Sequence, residues 1–444
     1  MSRKYFGTDG VRGQVGADPM TADFAMRLAS AAAQVLVPDG GRVLIGKDTR
    51  LSGYMFESAL EAGFVAAGVD VWLVGPLPTP AIAQLTQHLE ADLGVVISAS
   101  HNPYEDNGIK FFDGSGSKLS DAVELKIEAH LDTPAITRES SKLGSAQRID
   151  TATVHYQQFA ASTFPAELSL EGLKIVFDGA NGAGYKAGPR TLSQLGAETI
   201  PIACSPNGRN INDGCGSTHT DLMQLTVPAV KADVGIALDG DGDRVVMADE
   251  TGAIVDGDQM LYVLAKARHE HGKLTGPVVG TVMSNLGLEH ALLEAGIDFR
   301  RAKVGDRYVL EELRQTGGNI GGETSGHMLV LDQTTTGDGL VCALQILAVM
   351  QQTGKKLSEL TAGMAKYPQT MVNVRTEERF DPTESAVIQD AVLAAESELA
   401  DTGRVVLRAS GTEPVIRVMV EGENREQVVA LAERIAAVVA DATP

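Results

Sequence analysis

Short apolar runs recur along the chain, each closed by a polar turn and followed by a stretch with helical spacing. Residues 42–48 read Arg-Val-Leu-Ile-Gly-Lys-Asp, residues 174–181 read Lys-Ile-Val-Phe-Asp-Gly-Ala-Asn, and residues 277–285 read Pro-Val-Val-Gly-Thr-Val-Met-Ser-Asn. Each predicts a strand leading into a helix. The runs are β-branched and apolar on both faces, which predicts strands of mixed or parallel sheets covered by helices on either side. Three consecutive α/β domains follow. From Met371 the order changes to a strand, a helix over 382–399, a strand pair around Gly411 and a closing helix over 425–440, which predicts a smaller C-terminal α+β domain. Breaks before the amphipathic stretch His155–Ser162, after Thr251-Gly252 and after Lys366-Tyr-Pro368 divide the chain into 1–152, 153–255, 256–370 and 371–444.

Composition agrees with this division. The 444 residues exceed one ordinary core, since a domain holds roughly 100 to 200 residues. Hydrophobic residues at 43% and charged residues at 21% are the balance of a soluble globular protein. A net charge of -21 repels nucleic acid and anionic membrane, so neither is expected as a partner, and a small anionic substrate would need a local basic pocket. Cys204, Cys215 and Cys342 are odd in number and far apart, which excludes a disulfide framework or a zinc site built from cysteine alone and suits a reducing compartment. No apolar run has signal-peptide or membrane-spanning length, so the expected location is the cytoplasm.

Candidate chemistry is confined to a few loops. Residues 93–103, Leu-Gly-Val-Val-Ile-Ser-Ala-Ser-His-Asn-Pro, predict a buried strand ending in a polar turn, and Asn107–Phe112 predicts the returning strand. Strand ends of an α/β sheet are where reacting groups collect. A turn stabilised by Ser, Asn and Pro side chains would explain the loop as well. Acyl transfer by Ser100 is disfavoured, because the G-x-S-x-G elbow is missing. His101, its neighbour on an extended chain, would also point to the opposite face.

Residues 239–244 read Asp-Gly-Asp-Gly-Asp-Arg, so Asp239, Asp241 and Asp243 can face one ion across a glycine-spaced turn. Hard oxygen ligands imply Mg²⁺ or a similar divalent cation. An EF-hand would need Gly where Arg244 stands and helices where Val234–Leu238 and Val245–Ala248 are strand-like. Three close carboxylates repel unless a cation neutralises them, which counts against a merely solvated acidic loop. A phosphate oxygen can take an open position on such an ion. Ser100 and the triad would then act together, if the fold joins them.

Residues 408–417, Arg-Ala-Ser-Gly-Thr-Glu-Pro-Val-Ile-Arg, gather the guanidinium groups of Arg408 and Arg417, the hydroxyls of Ser410 and Thr412, and Gly411. That is a cradle for an oxyanion; a plain Ser-Gly-Thr hairpin would not need the arginines. Residues 321–327, Gly-Gly-Glu-Thr-Ser-Gly-His, offer Glu323, Ser325 and His327 to the polar groups of a sugar, though alone they could be any polar turn. Thr8-Asp9-Gly-Val-Arg12 and Gly46-Lys-Asp-Thr-Arg50 add basic side chains that could as easily make surface salt bridges.

Taken together, Ser-His-Asn-Pro, D-G-D-G-D-R, G-E-x-S-G-H and R-x-S-G-T-E-P, in this order from Thr8 to Arg417, resemble the α-D-phosphohexomutase superfamily. Phe6–Gly13, Cys215–His219, Lys303–Tyr308 and Arg417–Glu421 are similar to members acting on glucosamine phosphates. Thr324 departs from the pattern, where a longer polar residue is expected, and leaves Glu323, Ser325 and His327 intact. The resemblance implies four domains around a central cleft, each lending one loop. It implies that Ser100 is phosphorylated and joins Asp239, Asp241 and Asp243 on one Mg²⁺ per chain. Arg408, Ser410, Gly411, Thr412 and Arg417 would hold the substrate's non-reacting phosphate, while Glu323 and Ser325 would read the sugar.

Lys110 would be the general base, with Arg12, His101, Arg244 and His327 beside it. Neighbouring positive charge would depress its pKa. The implied reaction interconverts glucosamine 6-phosphate and glucosamine 1-phosphate through a 1,6-bisphosphate. Glucosamine or glucose 1,6-bisphosphate would be the activator, and the product would lie on the route to UDP-N-acetylglucosamine and peptidoglycan precursors. A homodimer is implied as well. The alternatives are a phosphomannomutase or phosphoglucomutase, a metal-dependent phosphatase, and a non-catalytic sugar-phosphate binder.

Overall fold

In the computed structural model, which describes residues 3–7, 9–377, 380–409 and 414–442, the apolar runs become strands of four sheets. The first takes β1 (Val11–Gln14), β2 (Gly41–Lys47), β3 (Val69–Pro76), β4 (Leu93–Ile97), β5 (Asp106–Asp113) and β6 (Ala146–Arg148), in the order β1-β5-β4-β2-β3-β6. The second holds β7 (Lys174–Asp178), β8 (Glu198–Ile202), β9 (Val234–Leu238), β10 (Val245–Ala248) and β11 (Ile254–Val255), ordered β11-β10-β9-β7-β8. The third holds β12 (Val278–Thr281), β13 (Phe299–Ala302), β14 (Ile320–Gly322) and β15 (Met328–Val330), ordered β13-β12-β14-β15.

One plan repeats in these three sheets. Parallel pairs (β2 with β3 and β4, β7 with β8 and β9, β12 with β13 and β14) are followed by one antiparallel partner, β5, β10 or β15. The inner parallel strands are buried on both faces, as β4 and β9 show along their whole length, because helices cover both sides, whereas the edge strands β6, β8 and β13 are more exposed. The mixed sheets of the sequence reading are therefore present. The fourth sheet, β16 (Gln369–Arg375), β17 (Gly403–Ala409) and β18 (Val415–Gly422), is wholly antiparallel in the order β16-β18-β17.

Two helices knit the α/β units together. Ala152–Ser162 packs between the first two, and its Tyr156 is fully buried. Gly339–Thr353 is buried on nearly every face, where it meets β9, β10 and β15. Asp338 caps it by accepting from Val341 N at 3.0 Å, and Gly354, at φ 66, ends it in the left-handed conformation. A single apolar cluster runs from Leu44 and Phe112 through Phe177 and Ile236 to Val278 and Val330. The first three units thus share a core, whereas the last has its own, around Ile388, Val418, Val420 and Ile435. Polar bonds pin it to the third unit: buried Glu421 accepts from Leu286 N (3.3 Å), Gln369 Nε2 (2.7 Å) and Arg404 Nε, and Arg404 Nη2 donates to Ser284 O at 2.6 Å.

The helix expected over 382–399 is broken. Pro382–Glu384 forms a separate 3₁₀ turn, whose Asp381 side chain accepts from Thr383 N, and the α-helix starts at Ala386 after an extended Ser385.

Candidate active site

Each α/β sheet ends its parallel set in a hairpin, and each hairpin loop carries a motif. Residues 98–105 join β4 to β5, 239–244 join β9 to β10, and 323–327 join β14 to β15. The same topological position is used three times, so the loops converge. The corresponding loop of the last sheet, between β17 and β18, carries Ser410, Gly411 and Thr412, which lie outside the described residues, as does Thr8.

Ser100 is buried, with φ 53, a left-handed conformation that costs a non-glycine residue about 1–2 kcal/mol and is kept only where surroundings impose it. Those surroundings are specific. Its carbonyl accepts from Arg50 Nη2 (3.2 Å) and Asn212 Nδ2 (3.0 Å), its N–H donates to Ser98 Oγ (3.0 Å), and Ser98 Oγ donates to Asp48 Oδ2 (2.5 Å). Arg50 and Asp48 form a fully buried ion pair, and Lys47 pairs with Glu57 beneath the surface. The basic segment 46–50 therefore braces the serine loop instead of making surface bridges.

The left-handed turn also corrects the expectation for His101. It brings the two neighbours to one side, with His101 Nδ1 3.3 Å from Ser100 Oγ. Burial, then the charges of Arg244 and Arg12, pull the imidazole down to about 4, so it is neutral at neutral pH.

Ser100 Oγ donates to Asp239 Oδ2 at 2.6 Å, which joins the serine loop to the acidic loop of the second unit. Asp239, Asp241 and Asp243 are all buried, and each offers an oxygen within 4.8 Å of the others. Burial, followed by repulsion from Asp243 and Asp241, holds Asp239 well above the usual carboxylate range. Asp241 Oδ1 and Asp243 Oδ1 are buried acceptors without a hydrogen-bond partner. Three oxygens with spare lone pairs and mutual repulsion fit a hard divalent cation. Thr79, which starts the helix after β3, donates through Oγ1 to Asp241 Oδ2 (2.6 Å) and through its N–H to Asp241 O (2.8 Å).

Lys110, on β5, points into the same place. Its Nζ lies 2.8 Å from Asp241 Oδ2, 2.8 Å from Asp9 Oδ2 and 3.5 Å from Asp243 Oδ2. Burial disfavours the ammonium, but Asp241, Asp9 and Asp243 outweigh it and raise the pKa above the usual lysine value. The expected depression by neighbouring cations is thus reversed in this arrangement. Arg12 pairs with Asp9.

The sugar-loop candidates come next to the acidic loop. Arg244 and His327 pair as an isolated β-bridge, His327 Nδ1 is 3.7 Å from Asp243 Oδ1, and Glu323 Oε1 accepts from Gly305 N at 2.9 Å. Burial opposes a charge on His327, but Asp243 and Asp306 carry its pKa up to about 8. Ser325 is exposed at the tip of the turn. Arg408 and Arg417 face each other across β17 and β18. Burial and then Arg417 lower the Arg408 pKa, while the charge of Glu323 raises it. Asp9, Lys118, Asp306, Thr79 and Asn212 escaped the sequence reading. Only Asp9 and Asp306 lay inside segments quoted there, and nothing in sequence marked Lys118.

The domain models that match the chain are all of phosphoglucomutase/phosphomannomutase: α/β/α domain I over 3–137, domain II over 154–252, domain III over 256–367 and the C-terminal domain over 371–438. The phosphoglucosamine mutase of Aeromonas hydrophila is 57% identical over 98% of both chains. That of Marinobacter nauticus is 55% identical over 100% of this chain and 99% of its own. Among solved structures, a phosphoglucomutase/phosphomannomutase family protein from Burkholderia thailandensis superposes with TM-score 0.83 at 23% identity over 99% of each chain. Aspergillus fumigatus N-acetylphosphoglucosamine mutase, in complex with GlcNAc-6P and magnesium, does so with TM-score 0.70 at 17% identity, over 100% of this chain and 96% of that one. With four matched domains and more than half its residues shared along their whole length with phosphoglucosamine mutases, the chain belongs to the phosphoglucomutase/phosphomannomutase family of α-D-phosphohexomutases, in the branch of the phosphoglucosamine mutases.

Proposed function

We propose that the chain is an isomerase that interconverts glucosamine 6-phosphate and glucosamine 1-phosphate by way of a phosphoserine at Ser100. The observation that carries this is the 2.6 Å contact between Ser100 Oγ and Asp239, which sets the only serine of the hairpin loop that reaches the triad against three buried carboxylates. The P–Oγ bond of phospho-Ser100 breaks as a P–O bond forms to the sugar's free hydroxyl, whose proton leaves to a base. The bisphosphate turns over, its P–O6 bond breaks as the P–Oγ bond re-forms, and the 6-oxygen takes the proton back from that base.

Asp239, Asp241, Asp243 and Ser100 would hold Mg²⁺. When bound, the ion would offset the charge of the triad, of which Asp241 and Asp243 act with Asp9 to raise the Lys110 pKa, and that of the phosphoryl oxygens. Lys110 is the base, and Arg12, Arg244, His101 and His327 surround the transferring group. Glu323 and Ser325 hold the sugar. Arg408, Ser410, Gly411, Thr412 and Arg417 grip whichever phosphate is not reacting, and either end of the bisphosphate can satisfy them because they read phosphate alone. Glucosamine or glucose 1,6-bisphosphate primes Ser100. The four domains are taken as 1–152, 153–255, 256–370 and 371–444, working in the cytoplasm, and the product feeds UDP-N-acetylglucosamine synthesis.

Turnover of glucosamine, glucose and mannose 6-phosphates, followed in parallel by phosphorus NMR with Mg²⁺ and trace bisphosphate, tests the substrate. Preference for the amino sugar is expected, and loss of all turnover in Ser100→Ala. Faster turnover of glucose or mannose phosphate would replace the substrate and keep the chemistry. Release of inorganic phosphate unaffected by bisphosphate would replace the reaction.

A further inference from the structure

Charged side chains of three units, Lys110 and His327 among them, close into a ring. Lys110 Nζ contacts Asp9 Oδ2 (2.8 Å), Asp9 Oδ1 accepts from Lys118 Nζ (2.6 Å), and Lys118 Nζ also reaches Asp306 Oδ2 (2.6 Å). Asp306 Oδ2 lies 3.5 Å from His327 Nε2, His327 Nδ1 is 3.7 Å from Asp243 Oδ1, and Asp243 Oδ2 is 3.5 Å from Lys110 Nζ. Signs alternate all the way round when His327 is charged. The members come from the first unit (Asp9, Lys110, Lys118), the second (Asp243) and the third (Asp306, His327).

Lys118 is the link that crosses from the first unit to the third. Its backbone is fixed on the sheet by a bridge to Phe112, and its side chain is mostly buried. Other contacts join the same two units: Arg307 with Asp121 and Glu124, Thr335 Oγ1 to Gly116 O at 2.9 Å, and Arg314 Nη2 to Ser117 Oγ at 3.3 Å. None of their side chains touches Lys110 or His327. Beside Lys118 a cavity of about 580 Å³ lies between residues 117–121 and 306–315, so polar bonds rather than close packing span the two units there. Of these bonds, those of the Lys118 ammonium are the ones that lead through Asp9 and Asp306 to Lys110 and His327.

We propose that Lys118 is a positioning residue, which through Asp9 and Asp306 clamps the first and third units so that Lys110 and His327 meet the same reacting phosphoryl group. It touches neither substrate nor metal. Removing its charge leaves Asp9 and Asp306 facing each other across a buried gap, and their repulsion opens the two units at that point. A displacement of about 1 Å in a reacting group is enough to lower turnover by roughly a hundredfold.

This rests on the proposed reaction, so the test has one arm that does not. Wild type, Lys118→Met, Lys118→Arg, Asp306→Asn and the double variant Lys118→Met/Asp306→Asn are compared. In hydrogen–deuterium exchange, Lys118→Met is expected to lose protection in peptides covering 107–112 and 323–330 and to keep it in 416–420. In turnover, Lys118→Met and Asp306→Asn are each expected to lose roughly ten- to a hundredfold in kcat with KM within about threefold. Lys118→Arg should recover part of the loss, and the double variant should be no worse than the poorer single one. Should Lys118→Met fail to fold, Asp306→Asn carries both arms.

Unchanged protection, or losses in the two single variants that multiply in the double, would overturn the clamp. Absence of any turnover by wild type would overturn the proposed reaction instead, and the exchange arm would still decide the clamp.

Discussion

At the scale of single residues, the molecule keeps charge inside by surrounding it, and the carboxylates without enough partners are the informative ones. Asp258 is fully buried behind the sugar loop. Its Oδ2 accepts from Asn285 N (2.9 Å) and Thr324 Oγ1 (2.8 Å), but its Oδ1 has no partner. Burial, then the charge of Asp256, pushes it up to about 6, against roughly 3.9 in an unfolded chain. The native state therefore binds the extra proton between about pH 4 and 6, and stability falls as pH rises through that window. Above it the ionised group costs the fold on the order of 2–3 kcal/mol. Asp258→Asn is expected to raise Tm by a few degrees at pH 8 and to leave it unchanged at pH 4, as read by differential scanning calorimetry. An equal shift at both values would contradict the assignment. Thr324, the departure noted in the sugar loop, is the residue that ties this loop to Asp258.

At the scale of elements, the hairpins decide the site, and glycine decides how closely they approach. A Cβ on Gly240 would stand 2.5 Å from the carbonyl oxygen of Ser100, and one on Gly182 would stand 2.3 Å from the carbonyl oxygen of Gly240. Three backbones are stacked with no room for a methyl group. Gly240→Ala is expected to push the acidic loop off the serine loop, lowering kcat by roughly a hundredfold with the fold retained by circular dichroism. A variant with kcat within about threefold of wild type would show that the stack can yield.

This is also where sequence and structure part company. The strands, their turns and the order of the motifs were legible because β-branched runs and glycine-spaced carboxylates carry local constraints. His101 was misplaced because nothing local announces that Ser100 adopts a left-handed backbone. Arg50 looked like a surface cation because, Asp48 apart, the groups that bury it, the carbonyls of Ser100 and Asn102, are some fifty residues away. The sign of the shift at Lys110 was missed for the same reason. Arg12 stands near it in any reading of the motif, but Asp9 faces it only once the first unit has folded, and Asp241 only once the second has packed against the first.

At the scale of the whole molecule, a chain of net charge -21 holds three carboxylates in one buried cluster, and a cation bound there removes repulsion that folding alone leaves in place. Mg²⁺ is therefore expected to raise Tm. A concentration about a hundredfold above Kd would add about 2.7 kcal/mol. Asp241→Asn should abolish most of this gain, and a chelator should reverse it in wild type. A Tm indifferent to Mg²⁺ would argue against a metal at the triad, whatever the activity. The C-terminal unit has its separate core and is pinned to the third unit at Glu421.

The bracing of Ser100 has a last consequence. An oxygen whose backbone is fixed by Arg50, Asn212 and Ser98 is a stationary anvil, and both halves of the proposed cycle must be struck on it. The protein then has no built-in arrow. Forward and reverse reactions present the same face of the enzyme to opposite ends of one small molecule, so the supply of each end, and not any asymmetry in the machinery, sets which way the traffic flows.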